Sequence, residues 1–170
     1  MQYLLIIIGF LTLVGGNQLP WIFVSGTAFV LTSYILENFQ LVQSETNIIM
    51  ISLTAGVIGV FLYYYLKRIP VIIAAFLAGG YISFAMPAIL GWNISWFGPL
   101  AFVIVGAIAS AITFFWYTFG LILITTLSGA LLVLQNFNFG SIPPQAMFIV
   151  LVMVGLVTQF VLMQYGPSEN

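Results

Sequence analysis

Cysteine, histidine and aspartate are absent from this chain of 170 residues, and charge is nearly so: Glu37, Glu45, Lys67, Arg68 and Glu169 make up 3% of it. Without Cys or His, the usual ligands of zinc, iron–sulfur clusters and His-ligated haem are missing, and no disulfide can form. No metal-binding or cofactor-binding residue is therefore expected, and no cofactor. The absence of Asp excludes intramembrane proteolysis by paired aspartates. Nucleophilic catalysis needs a base beside the nucleophile, and the single Lys lies in a turn, so catalytic residues are not expected either. The same position rules out a retinal Schiff base, which needs a Lys within a late span. With a net charge of -1 there is no basic patch to neutralise phosphates, so nucleic acid is not a partner.

What the chain has in abundance is apolar surface, at 63% of its residues. A soluble domain carries about 25% charged residues, and five charges cannot build a polar shell. Lipid must take the place of that shell, and membrane lipids are the first expected partner. A helix needs about 20 apolar residues to cross roughly 30 Å of hydrocarbon. Seven segments approach that length, at 2–14, 19–36, 47–66, 69–89, 97–115, 118–134 and 146–163. The expected fold is all-α, one polytopic transmembrane bundle over 1–170. Its first segment, apolar like a signal core but without a positive flank or small-residue cleavage site, reads as a retained first span.

The connections are of two kinds. Gly15-Gly16-Asn17-Gln18-Leu19-Pro20 and Lys67-Arg68-Ile69-Pro70 are tight turns in which Pro opens the following helix, and Trp116-Tyr117 is a third. Residues 37–47, 90–96 and 136–145 are longer and more polar. Positive charge stays on the cytoplasmic side, which places the Lys67-Arg68 turn and the C-terminus inside and the N-terminus outside. Aromatic residues suit both interfaces: Trp21, Tyr63, Tyr64, Tyr65, Trp116, Tyr117 and Tyr165 mark one level, and Tyr34, Trp92 and Trp96 the other. Asn93-Ile94-Ser95 is a glycosylation sequon on the expected outer face.

Residues 66–81 align with 116–131 at a shift of fifty, which brings Gly79 onto Gly129 and Pro70 onto Gly120; Pro20 falls on Pro70 at the same shift. The pattern suggests three repeated helical hairpins with tight inner turns, closed by a seventh span. The plainer reading is that small residues recur in any membrane helix.

Small residues let membrane helices approach. Ala75, Gly79 and Ser83 share one face of the fourth segment, as do Ala55 and Gly59 in the third. Gly106 with Ser110, and Thr125 with Gly129, continue the pattern in the fifth and sixth. These are candidate helix-packing positions; a functional role would require their faces to line one cavity. No charge lies mid-span, which argues against proton-coupled transport. Among the polar residues within spans, hydroxyls can bond the carbonyl a turn earlier. Gln159 cannot satisfy its amide so, and needs a neighbouring helix or water. Pro87, near the end of the fourth segment, is expected to kink or stop that helix.

The seven spans, the Leu66-Lys67-Arg68 turn leading into Phe76-Leu77-Ala78-Gly79-Gly80, and Leu127-Ser128-Gly129-Ala130 resemble an uncharacterised seven-span family that includes the transmembrane protein 198 scaffolds. The resemblance covers the second to sixth spans and implies scaffolding in a membrane assembly without catalysis. The leading expectation is therefore a non-catalytic integral subunit or scaffold, packed against other integral membrane subunits or copies of itself, with energy-converting (respiratory) complexes among the candidates. The alternative is a passive channel or transporter for a small solute or ion.

Overall fold

The computed structural model describes residues 2–40, 42–91, 98–137 and 142–165. Trp92, Trp96, the Asn93 sequon and the side chain of Tyr165 lie outside the described residues. Within them, seven helices and no strand are formed: α1 (Gln2–Gly15), α2 (Pro20–Asn38), α3 (Glu45–Leu66), α4 (Arg68–Leu90), α5 (Gly98–Phe115), α6 (Tyr117–Asn136) and α7 (Pro144–Tyr165). Each coincides with an expected segment to within about two residues at either end, the scatter usual for helix boundaries. Six of them are long and apolar enough to cross a membrane, so the chain is a multi-pass membrane protein by length and composition. At about 1.5 Å per residue, the 14 residues of α1 reach only some 21 Å.

Local chemistry explains where the helices stop. Pro20 occupies the first turn of α2, where its missing N–H costs nothing. Between α3 and α4 the chain reverses at Lys67, whose φ of 48° lies in the left-handed region and whose N–H donates to Tyr63 O. Pro87 lies inside α4 and does not end it at once. The helix runs one further turn to Leu90 and closes on Gly91, which adopts φ 72° and donates its N–H to the Pro87 carbonyl.

Helices joined by a tight turn are not the ones that pack most closely. The extensive seams are α2 on α3, α4 on α5, and α1 on α6, the last between helices far apart in the chain. In each seam a small residue admits the backbone of the neighbour. A methyl at Gly79 would lie 2.6 Å from Ala109 Cβ and 3.1 Å from Gly106 Cα, and one at Gly129 would lie 2.7 Å from Gly9 O. Across α2 and α3, Gly56 and Gly59 approach Ser25 in the same manner. The even helices also meet on the inside, α4 touching both α2 and α6, whereas α2 and α6 scarcely meet. α6 is the central element, with 72% of its apolar window buried, against 11% in α7, the most apolar of the long helices. That inversion is what lipid imposes: the most apolar helix is at ease in hydrocarbon, and a helix whose buried positions include Gly120, Thr125, Thr126, Ser128, Gly129 and Ala130 takes the centre.

Direct contacts assign the turns to two ends of the bundle. At one end the Arg68 guanidinium stands over the Tyr117 ring, 5.5 Å from its centroid, and Gln18 Nε2 donates to Leu162 O at 2.8 Å. At the other, the Gln2 amide donates to Asn136 O and Gln145 Nε2 to Ile89 O at 2.9 Å. The three tight turns and the end of α7 thus lie opposite the start of α1, the ends of α4 and α6 and the start of α7.

Candidate functional site

The even helices do not close on one another along their whole length. At the end where they finish, they surround a cup with a volume of about 290 Å³. Gly26, Thr27, Val30 and Tyr34 of α2 form one wall, and Ala78, Tyr81 and Ala85 of α4 a second. Ser128, Leu132 and Gln135 of α6 supply the third, while Thr12 of α1 and Phe102 of α5 fill the corners. Small side chains keep the space open: Ala78, Ala85 and Ser128 stand where Leu or Phe would fill it, while Gly26 lets α2 approach Ile8 of α1. Five aromatic rings line it, those of Phe23, Tyr34, Tyr81, Phe84 and Phe102. Phe102 and Phe84 stand 5.9 Å apart with their planes inclined at 41°.

Polar groups in the cup are few and ordered by depth. Ser128 and Thr12 return their hydroxyl protons to their own helices, on Ile124 O at 2.6 Å and Ile8 O at 2.7 Å. This is the self-satisfaction open to Ser and Thr in a helix. Nearer the mouth, the Tyr81 hydroxyl donates to Gln135 Oε1, tying α4 to α6. Among the described residues no charged side chain lines the space. Glu37, one turn beyond Tyr34, is exposed outside it.

Below the cup the axis is closed. Phe23, Val71, Leu121 and Ile124 pack with Ala74 and Ala78 into a buried apolar cluster, on which Tyr63 and Tyr117 rest from the side of the Arg68 turn. Water is excluded there by side chains fully removed from solvent, Val71 and Leu121 among them.

None of the nine candidate packing residues lines the cup. Gly59, Gly79, Gly106 and Gly129 each face a neighbouring helix at backbone distance, and Ala75 and Thr125 are fully buried. Ala55, Ser83 and Ser110 are only half-buried, and the two serines bond back to Gly80 O and Ala107 O. Their places are taken by Ser52 and Gly56 in α3 and by Ala109 and Thr113 in α5, all buried. Sequence spacing missed these because three-residue and four-residue ridges are both available to a helix crossing, and the crossing decides which ridge is used.

Gln159 is 1% exposed. Its Nε2 donates to Leu13 O at 2.8 Å and to Thr125 Oγ1 at 3.0 Å, so a single amide joins α7 to α1 and α6. Gly155, one turn earlier, brings α7 against Thr126 and Leu13. Among the described residues no group of three acidic, Cys or His side chains is placed to hold a metal ion.

Comparison with protein-family models, with curated proteins and with solved structures returned no match. The residues that line the cup, Thr27, Tyr81 and Gln135 above all, were not candidates in the sequence. Nothing in a linear pattern marks them, since they come from three helices and meet only at the axis.

Proposed function

We propose that the chain is a non-catalytic integral membrane subunit whose central cup holds a small uncharged molecule. The observation that carries this reading is the cup itself, an apolar space with a hydrogen-bonding rim, at the lower edge of the range of roughly 300–1,000 Å³ typical of small-molecule sites. A chain that served only to pack against partners would gain dispersion contacts by filling that space. A continuous pore is less well supported, because the axis below the cup is closed by Phe23, Val71, Leu121 and Ile124. The subunit role rests on composition: outside the cup the chain offers partners little except apolar helix faces. It also agrees with the resemblance to the transmembrane protein 198 scaffolds.

The repeat belongs to the same proposal. The first hairpin gives α2 to α3 of the second, the second gives α4 to α5 of the third, and the third gives α6 back to α1. Three hairpins in approximate threefold relation, closed into a ring with α7 outside it, account for this order. They also put the cup on the ring axis. The Lys67-Arg68 turn is taken to face the cytoplasm, because it carries both basic residues of the chain.

Native mass spectrometry of the full chain, released from mild detergent, tests the reading. One small adduct per chain is expected, lost in Ala78→Phe, which fills the cup. If Ala78→Phe folds and carries the same adducts as the parent chain, the cup is not a binding site. If the chain always runs without companion subunits, the subunit role fails.

A further inference from the structure

The chemistry of the cup narrows its guest, and on the reading that the cup binds, we propose that the guest is a neutral aromatic molecule bearing one oxygen, its ring among the aromatic side chains and its oxygen at the rim. Charge is excluded first. A buried ion needs a partner or a bonded cage, and neither Glu37 outside the rim nor the Lys67-Arg68 turn at the far end of the bundle reaches the space. The body of the guest follows from the walls. Phe23 at the floor, with Tyr81, Phe84 and Phe102 around it, lines the space with aromatic rings, on which a planar guest stacks or meets edge-on.

The oxygen follows from the hydrogen-bond inventory. The Tyr81 hydroxyl spends its proton on Gln135 Oε1, so the bond leaves the two amide protons of Gln135 as donors and the Tyr81 oxygen as an acceptor. Deeper on the α2 wall, Thr27 differs from Thr12 and Ser128 in making no hydrogen bond to its own helix among the described residues. A hydroxyl or carbonyl oxygen on the guest meets an amide donor at Gln135 and an uncommitted hydroxyl at Thr27. A purely hydrocarbon guest leaves the Thr27 hydroxyl without a partner and forgoes the amide donor at Gln135.

The test uses the full chain in nanodiscs, with empty nanodiscs as the partition blank, and four probes: 1-naphthol, naphthalene, 1-naphthoate and 1-naphthylmethylammonium. Equilibrium dialysis should show saturable binding of 1-naphthol at one per chain, with both ions weaker by at least about tenfold. Gln135→Leu, at the exposed rim, should weaken 1-naphthol by about two- to tenfold, the scale of one hydrogen bond, and leave naphthalene unchanged. Ala78→Phe should abolish binding of both; Ala85→Leu serves the same purpose if that variant does not fold. Binding of either ion as tight as that of 1-naphthol, or loss of naphthalene and naphthol alike in Gln135→Leu, overturns the assignment. Should 1-naphthol fail to bind while a copurifying lipid is lost on filling the cup, the guest class is wrong and the binding role stands. If filling the cup changes neither, both readings fall.

Discussion

Gln159 is held by two helices at once, through Leu13 O and Thr125 Oγ1, while Ser52 Oγ and Thr126 Oγ1 are buried with no hydrogen-bond partner among the described residues. These two situations predict opposite responses. Gln159→Leu removes an interhelical bond of the kind that contributes about 0.6 kcal/mol on average and up to about 1.7 kcal/mol in membranes. A lower melting temperature in mild detergent is expected, and a variant that melts with the parent would show that the amide does not fasten α7. Ser52→Ala and Thr126→Val remove hydroxyls whose burial without a partner costs about 1–3 kcal/mol. Both variants should melt at or above the parent temperature. A clear drop in either would mean that its oxygen has a partner in the folded protein.

Between helices, stability depends on how closely two backbones approach, and the seams differ in this from the outer faces. A methyl at Gly79 would stand 2.6 Å from Ala109 Cβ, whereas nothing lies within 4 Å of one at Gly15. Overpacking costs about 1–3 kcal/mol, so Gly79→Ala should lower the melting temperature measurably and Gly15→Ala should not. Equal effects would remove the case for a tight α4–α5 seam. The α1–α6 seam can be probed without disturbing it, because Gln2 meets Asn136 at an exposed end. A Gln2→Cys/Asn136→Cys pair should cross-link under mild oxidation, and failure would separate α1 from α6. α1 also follows only part of its partner: Gly9 lies against Gly129 and Gly16 against Thr125, eight residues short of the start of α6. The shortness of α1, legible in the sequence, thus has a structural counterpart in a turn set inward from the end of the bundle.

For the whole molecule, the proposed direction in the membrane rests on two basic residues, Lys67 and Arg68. Lys67 and Gln43 are both exposed, in a tight turn and in a longer loop. If the Lys67 turn is cytoplasmic, Lys67→Cys in right-side-out vesicles should react with an impermeant maleimide only after the membrane is opened, and Gln43→Cys without opening. The reverse pattern would invert the orientation, and with it the side from which the cup is reached. Neither outcome alters which turns share an end, since the Arg68–Tyr117 and Gln18–Leu162 contacts hold them there.

Helix identity, number and approximate ends were determined by the sequence alone. The reason is that hydrocarbon permits little besides helices, and Pro, Gly and polar runs mark where they stop. The scarcity of charge and the absence of Cys and His were likewise legible without any structure. Tertiary structure decided which small residues meet, since Ala55 and Gly56 are neighbours in sequence and only the crossing with α2 selects Gly56 for the seam. It also decided the cup. Thr27, Tyr81 and Gln135 lie at separations of 54 residues each along the chain, and a space between three helices exists only once all three are packed.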